Sequence, residues 1–141
     1  MVLVVDASVA LKWFLHSPPH EESDSDQALE ILRQLKIGAV RLVQPPHFLA
    51  EMAAVLARLK PKDCQEDFRN LQALSQEICS HPGLYRRALQ WSVSAGQHLF
   101  DTLYHAVALT MPAATLVTAD TRYFKAAGSK GKIRLLSQLG L

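Results

Sequence analysis

The chain has 141 residues, 49% of them hydrophobic, enough to bury one core without disulfides and to fit a single domain over residues 1–141. It has two cysteines, Cys64 and Cys79, no CxxC pair, no secretory leader and no apolar run long enough for a bilayer; a soluble cytoplasmic protein with no membrane association is expected. A net charge of +2 is too small to mark a nucleic-acid binder, but the charge is uneven: Glu21, Glu22, Asp24, Asp26 and Glu30 crowd an early stretch, and no acid follows Asp120.

Val2 to Val5 is a β-branched-rich run, as in a strand covered on both faces, and Ala7 to Leu15 reads as a helix. His16 to Asp26, with Pro18, Pro19 and a Ser/Asp/Glu cluster, reads as an exposed loop. Ala28, Leu29, Ile31, Leu32 and Leu35 recur at helical spacing, and Gly38 ends that helix. Arg41-Leu42-Val43 is a short strand before Pro45-Pro46; Phe48, Met52, Val55, Leu56 and Leu59 then form a helical stripe up to Pro61. Phe68, Leu71 and Leu74 give another helix, Ile78-Cys79-Ser80 a third strand, and Leu84 to Ala95 a helix stopped by Gly96. Residues 101 to 110 read as a helix ended by Pro112 and residues 115 to 118 as a strand. Arg122 to Ala127 is a short helix ended by Gly128, and Ile133-Arg134-Leu135 a last strand. This alternation predicts a three-layer α/β/α sandwich around a short, mainly parallel central sheet of about five strands.

Four acids stand at strand ends or helix beginnings: Asp6 past the first strand, Glu51 opening the helix after the second, Asp101 at the start of the helix leading into the fourth, and Asp120 past the fourth. The crevice outside the carboxyl ends of parallel strands is the usual ligand site of such sheets. Each acid has a local explanation. Asp6, Asp101 and Asp120 fit N-cap or turn positions worth about 1 kcal/mol, and Glu51 fits a first turn favoured by the helix dipole. Together they need more, because like charges about 4 Å apart repel by roughly 4 kcal/mol at an effective dielectric near 20. Such a cluster calls for a cation. Oxygen-only ligands select hard ions, Mg²⁺ or Mn²⁺, which activate water and stabilise the leaving oxygen in phosphodiester hydrolysis.

The segments carrying these acids are Val4-Val5-Asp6-Ala7-Ser8-Val9-Ala10, His47-Phe48-Leu49-Ala50-Glu51, Phe100-Asp101-Thr102-Leu103-Tyr104-His105-Ala106-Val107-Ala108 and Leu116-Val117-Thr118-Ala119-Asp120-Thr121-Arg122-Tyr123-Phe124. In order and spacing the chain resembles the PIN-domain nucleases, specifically the small VapC-type toxins of bacterial toxin–antitoxin pairs. The resemblance implies a divalent-metal-dependent endoribonuclease acting on single-stranded or loop RNA, a homodimer, and a cognate antitoxin that inserts into the active-site groove. Carried over residue by residue, it makes Asp6, Glu51, Asp101 and Asp120 the catalytic metal site. Ser8 and Thr118 become water-positioning groups beside the acids. Phe100 stands where a tyrosine is frequent and Thr102 where an alanine is frequent.

An RNA nuclease must offset an acidic pocket with cations that hold the phosphate backbone, and Arg122 and Lys12 are the candidates. The other histidines lack HExxH spacing, and His105, four residues after Asp101, is assigned to packing or a hydrogen bond. Trp13 and Phe14 are read as core, and Gly128-Ser129-Lys130-Gly131-Lys132 as a flexible basic turn rather than a phosphate loop. The alternative is a PIN-like binding module acting only through its antitoxin or a DNA-bound complex, which a broken acidic set would mark; here the set is intact. A phosphatase would want Asp-x-Asp after the first strand, where this chain has Asp6-Ala7-Ser8, and a phospho-receiver an acidic pair there and a late lysine.

Overall fold

The computed structural model describes residues 1–15, 17–20 and 22–141. His16 and Glu21, at the start and middle of the expected loop, lie outside the described residues. Five strands form one all-parallel sheet in the order β3-β2-β1-β4-β5: β1 Val2–Val5, β2 Arg41–Gln44, β3 Gln76–Ile78, β4 Ala114–Thr118 and β5 Ile133–Leu135. Seven helices are found among the described residues: α1 Ala7–Ala10, α2 Ser25–Lys36, α3 Phe48–Leu59, α4 Cys64–Ala73, α5 Leu84–Ala95, α6 Leu99–Thr110 and α7 Thr121–Ala127. The architecture is the expected α/β/α sandwich, and its sheet is wholly parallel.

Consecutive burial of Leu3, Val4 and Val5 shows that β1 is covered on both faces. The chain runs from β1 to β2 to β3 in one direction, then crosses back to β4 beside β1 and on to β5. With right-handed crossovers, that reversal sends α5, α6 and α7 to the face opposite α1 to α4. Phe48, Met52 and Leu56 form the buried stripe of α3, whereas α6 is buried continuously from Thr102 to Ala108 and lies over β1, β2 and β4. Gly38 (φ +76°) and Gly96 (φ +63°) end α2 and α5 in the left-handed conformation that glycine adopts without a Cβ clash.

Several boundaries differ from expectation: α2 begins at Ser25, inside the expected loop, and α6 at Leu99 rather than at 101. The first helix is α1 tightening into a 3-10 turn over Leu11–Trp13, which brings the indole N–H of Trp13 to the carbonyl of Ala28 (2.8 Å). The third strand lies two residues earlier, because its partners are Leu42, Val43 and Gln44; as an edge strand with Glu77 and Ile78 exposed it carries no apolar signature. Gly128 ends α7 as expected, but it does not reverse the chain. Its φ of −58° continues into a 3-10 turn over Gly128–Lys130, and Gly131 (φ +77°) makes the reversal.

At the site end of the sheet one side chain replaces a ladder. The β1–β2 pairing covers Val2 with Arg41 and Leu3 with Leu42. Beyond it, fully buried Gln44 accepts from the Val5 N–H through Oε1 (3.1 Å) and donates to the Val5 carbonyl through Nε2 (2.9 Å).

Candidate functional site

All strands being parallel, their carboxyl ends share one edge, and the switch in strand order falls between β1 and β4. Asp6 follows β1 there as the N-cap of α1, and Asp120 follows β4 as the N-cap of α7. Two hydroxyls tie them together. Thr118 Oγ1 donates to Asp6 Oδ2 and accepts from the Asp120 N–H (3.0 Å). Ser8 Oγ donates to Asp6 Oδ1 and accepts from the Ala119 N–H (3.0 Å). The Val9 N–H adds a third bond to Asp6 Oδ1 (3.3 Å), and Asp120 Oδ1 accepts from the Tyr123 N–H (2.9 Å).

Burial nonetheless dominates Asp6, whose pKa is pushed up to about 6 against the pull of Ser8, Thr118 and Val9. Its oxygens offer about four lone-pair positions, and these bonds use three, leaving one on Oδ2.

Glu51 sits in the first turn of α3, where the hydroxyl of buried Tyr104 donates to its Oε2 (2.8 Å) and so ties α3 to α6. Burial and the Glu51 charge hold the Tyr104 phenol far above its ordinary pKa. His47 Nε2 comes within 3.2 Å of Glu51 Oε2 without hydrogen-bond alignment, so both its buried ring nitrogens lack a hydrogen-bond partner.

Asp101 is not a helix cap, contrary to the local explanation above: it is the third residue of α6, and His98 Nδ1 caps that helix by accepting from the Phe100 N–H (3.1 Å). Burial raises its pKa first, then the charges of Asp120 and Glu51, while His98 and Arg122 pull it down. Arg122 is exposed on α7 and its charge reaches Asp101. Lys12 differs: it is buried, with its ammonium 3.7 Å from Glu22, so no free cation is presented there.

The charges converge more closely than the oxygens do. Among the described residues no three His, Cys, Asp or Glu side chains stand close enough to hold a metal ion jointly. Each of Asp6, Glu51 and Asp120 is drawn instead toward a donor of its own. In charge and chemistry the set still fits a hard divalent cation: carboxylates alone, ionisation of Asp6 and Asp101 opposed by burial and like charge, and a lone pair left on Asp6. Mg²⁺ is commonly held by one or two carboxylates and the substrate phosphate rather than by a closed protein cage.

His105 is structural. Its Nε2 bonds the Gly131 carbonyl (2.8 Å), so Nδ1 accepts from the Tyr123 hydroxyl (3.1 Å), which itself accepts from the Trp91 indole (3.3 Å). Trp13 is buried and Phe14 half-buried against the core. The basic turn is anchored: Lys130 lies 4.4 Å from the Trp91 ring centre, and Lys132 Nζ donates to the carbonyls of Met111 (2.5 Å) and Pro112 (3.2 Å). Sequence reasoning missed Gln44, Tyr104 and His47. Spacing held a signal for two of them, since Tyr104 is three residues after Asp101 and His47 four before Glu51.

Among protein-family models, the one described as PIN domain matches residues 3–129. A search of curated proteins returns no match. No helix among the described residues is long and apolar enough to cross a membrane.

Proposed function

The chain belongs to the PIN-domain family, a family of metal-dependent nucleases, and we propose that its own reaction is the endonucleolytic hydrolysis of RNA, as the toxin of a toxin–antitoxin pair. The observation that carries this reading is the placement of Asp6 and Asp120 at the switch point, joined through Ser8 and Thr118, with Asp101 near enough to feel the charges of Glu51, Asp120 and Arg122. RNA as substrate, a cognate antitoxin and a second copy as partners rest on the four motifs and their VapC-like spacing.

In this reading the four acids would hold Mg²⁺ or Mn²⁺. Bound there, the ion supplies Lewis-acid activation of water and of the phosphoryl oxygen. The chain's own residues prepare that chemistry. Ser8 and Thr118 spend their hydroxyl protons on Asp6, keeping its carboxylate oriented and favouring its charged form; Tyr104 does the same for the position of Glu51. Arg122 holds a phosphate against the repulsion of the acids, which the exposed guanidinium does with up to five donors.

The test is cleavage of total RNA by wild type, Asp6→Asn and Asp101→Asn, each with Mg²⁺, Mn²⁺ or EDTA. Wild type with metal should cut. Each variant should lose more than the roughly 10- to 100-fold typical of an outer-shell partner, and EDTA should abolish cutting. Equal cleavage under all conditions, or none by the wild type with either metal, overturns the reading.

A further inference from the structure

Phe100 is the residue before Asp101 and is 45% exposed. A single exposed aromatic needs no explanation, but this one is braced from two sides. The His47 ring lies 4.8 Å from it, centre to centre and tilted by 38°, and the His98 ring meets it edge-on at 5.0 Å. His98 is fixed by the bond from the Phe100 N–H to its Nδ1. His47 rests in turn on Tyr104 at 4.7 Å, whose hydroxyl holds Glu51. A continuous aromatic shelf thus runs from Glu51 past Tyr104 and His47 to Phe100 and His98, and Asp101 adjoins it along the chain.

We propose that Phe100, held in place by His47 and His98, stacks a nucleobase of the RNA whose phosphate lies at the acids. This rests on the ribonuclease reading above and deepens it by assigning a base-binding subsite. An acidic pocket repels the backbone it must bind, so a neutral contact next to it supplies affinity that charge cannot. Single-stranded nucleic acids are held by pairing a cationic track with aromatic rings under their bases, and here Arg122 and Phe100 supply one element of each. A ring face accepts any base. The subsite therefore favours unpaired RNA over duplex without reading its sequence, because a base inside a helix has no free face to offer.

The shelf is tested with Phe100→Trp, whose indole reports stacking through its fluorescence, titrated with oligoadenylate and with a ribose-phosphate oligomer of equal length lacking bases. Titrations are made in EDTA and, by rapid mixing, in Mn²⁺. Quenching by oligoadenylate alone is expected. In direct binding, Phe100→Leu should weaken oligoadenylate about 5- to 150-fold, with Phe100→Tyr close to wild type and circular dichroism unchanged in both. Equal response to both oligomers, quenching in neither condition, or wild-type binding by Phe100→Leu overturns the proposal. Failure of the ribonuclease reading shows separately, as absence of metal-dependent cleavage by wild type.

Discussion

At the scale of single residues, Asp6 concentrates the tension in the molecule. Its carboxylate is buried, carries three hydrogen bonds and still has its pKa raised from 3.8 to about 6. The folded protein therefore binds this proton more tightly than the unfolded chain does. The stability that follows is fully present below about pH 4 and is lost as pH rises through about 6. In EDTA, wild type should lose up to about 3 kcal/mol relative to Asp6→Asn between about pH 4 and about pH 8, at 1.36 kcal/mol per pKa unit. Urea denaturation of both proteins across that range measures it. Mn²⁺ at the upper pH should restore wild type more than the variant, since the proton and the cation compete for one carboxylate. Lys12 and Lys132 illustrate the opposite case, cations whose charge is spent internally on Glu22 and on two carbonyls.

Among the elements, the end of β1 is the one on which the site depends, and Gln44 keeps it in place. Replacing Gln44 by leucine leaves the N–H and C=O of Val5 buried without partners, each worth about 1–3 kcal/mol. Gln44→Leu should lower unfolding stability by about 2–6 kcal/mol in a chemical denaturation curve, and should weaken metal binding through the displacement of Asp6. Sequence periodicity reads strands and helices well where burial is one-sided or complete, as in β1, α3 and α5, whose limits match the hydrophobic runs. It reads β3 poorly because an exposed edge strand is positioned by its neighbour's hydrogen bonds, not by its own side chains. The four acids stand out because a carboxylate at a strand end or helix start is a local pattern. Gln44 and Tyr104 do not, because each acts on a residue far away in the chain, Val5 and Glu51 respectively.

For the molecule as a whole, charge is distributed so that the acids stand along one sheet edge and the acid-free segment after Asp120 brings the charge of Arg122 to it. Lys130 is engaged with Trp91 and Lys132 with carbonyls, whereas Arg122 and Lys125 stay exposed on α7. Each phosphate contact on a single strand contributes about 0.7 to the slope of log affinity against log salt. Arg122→Ala should therefore reduce that slope for oligoadenylate by about 0.7 and weaken binding least at high salt. Salt titrations of both proteins by fluorescence anisotropy give the comparison, and an unchanged slope places Arg122 off the RNA path.

The bond from Thr118 to Asp6 joins residues 112 positions apart. During synthesis Asp6 is therefore made well before β4, its hydroxyl donor and Asp120, and non-local strand pairing is the slow part of folding. A nascent or truncated chain that stops before β4 carries Asp6, Glu51 and even Asp101 without the strand that draws them together. A nuclease built this way cannot cut before β4 has been made and has paired with β1.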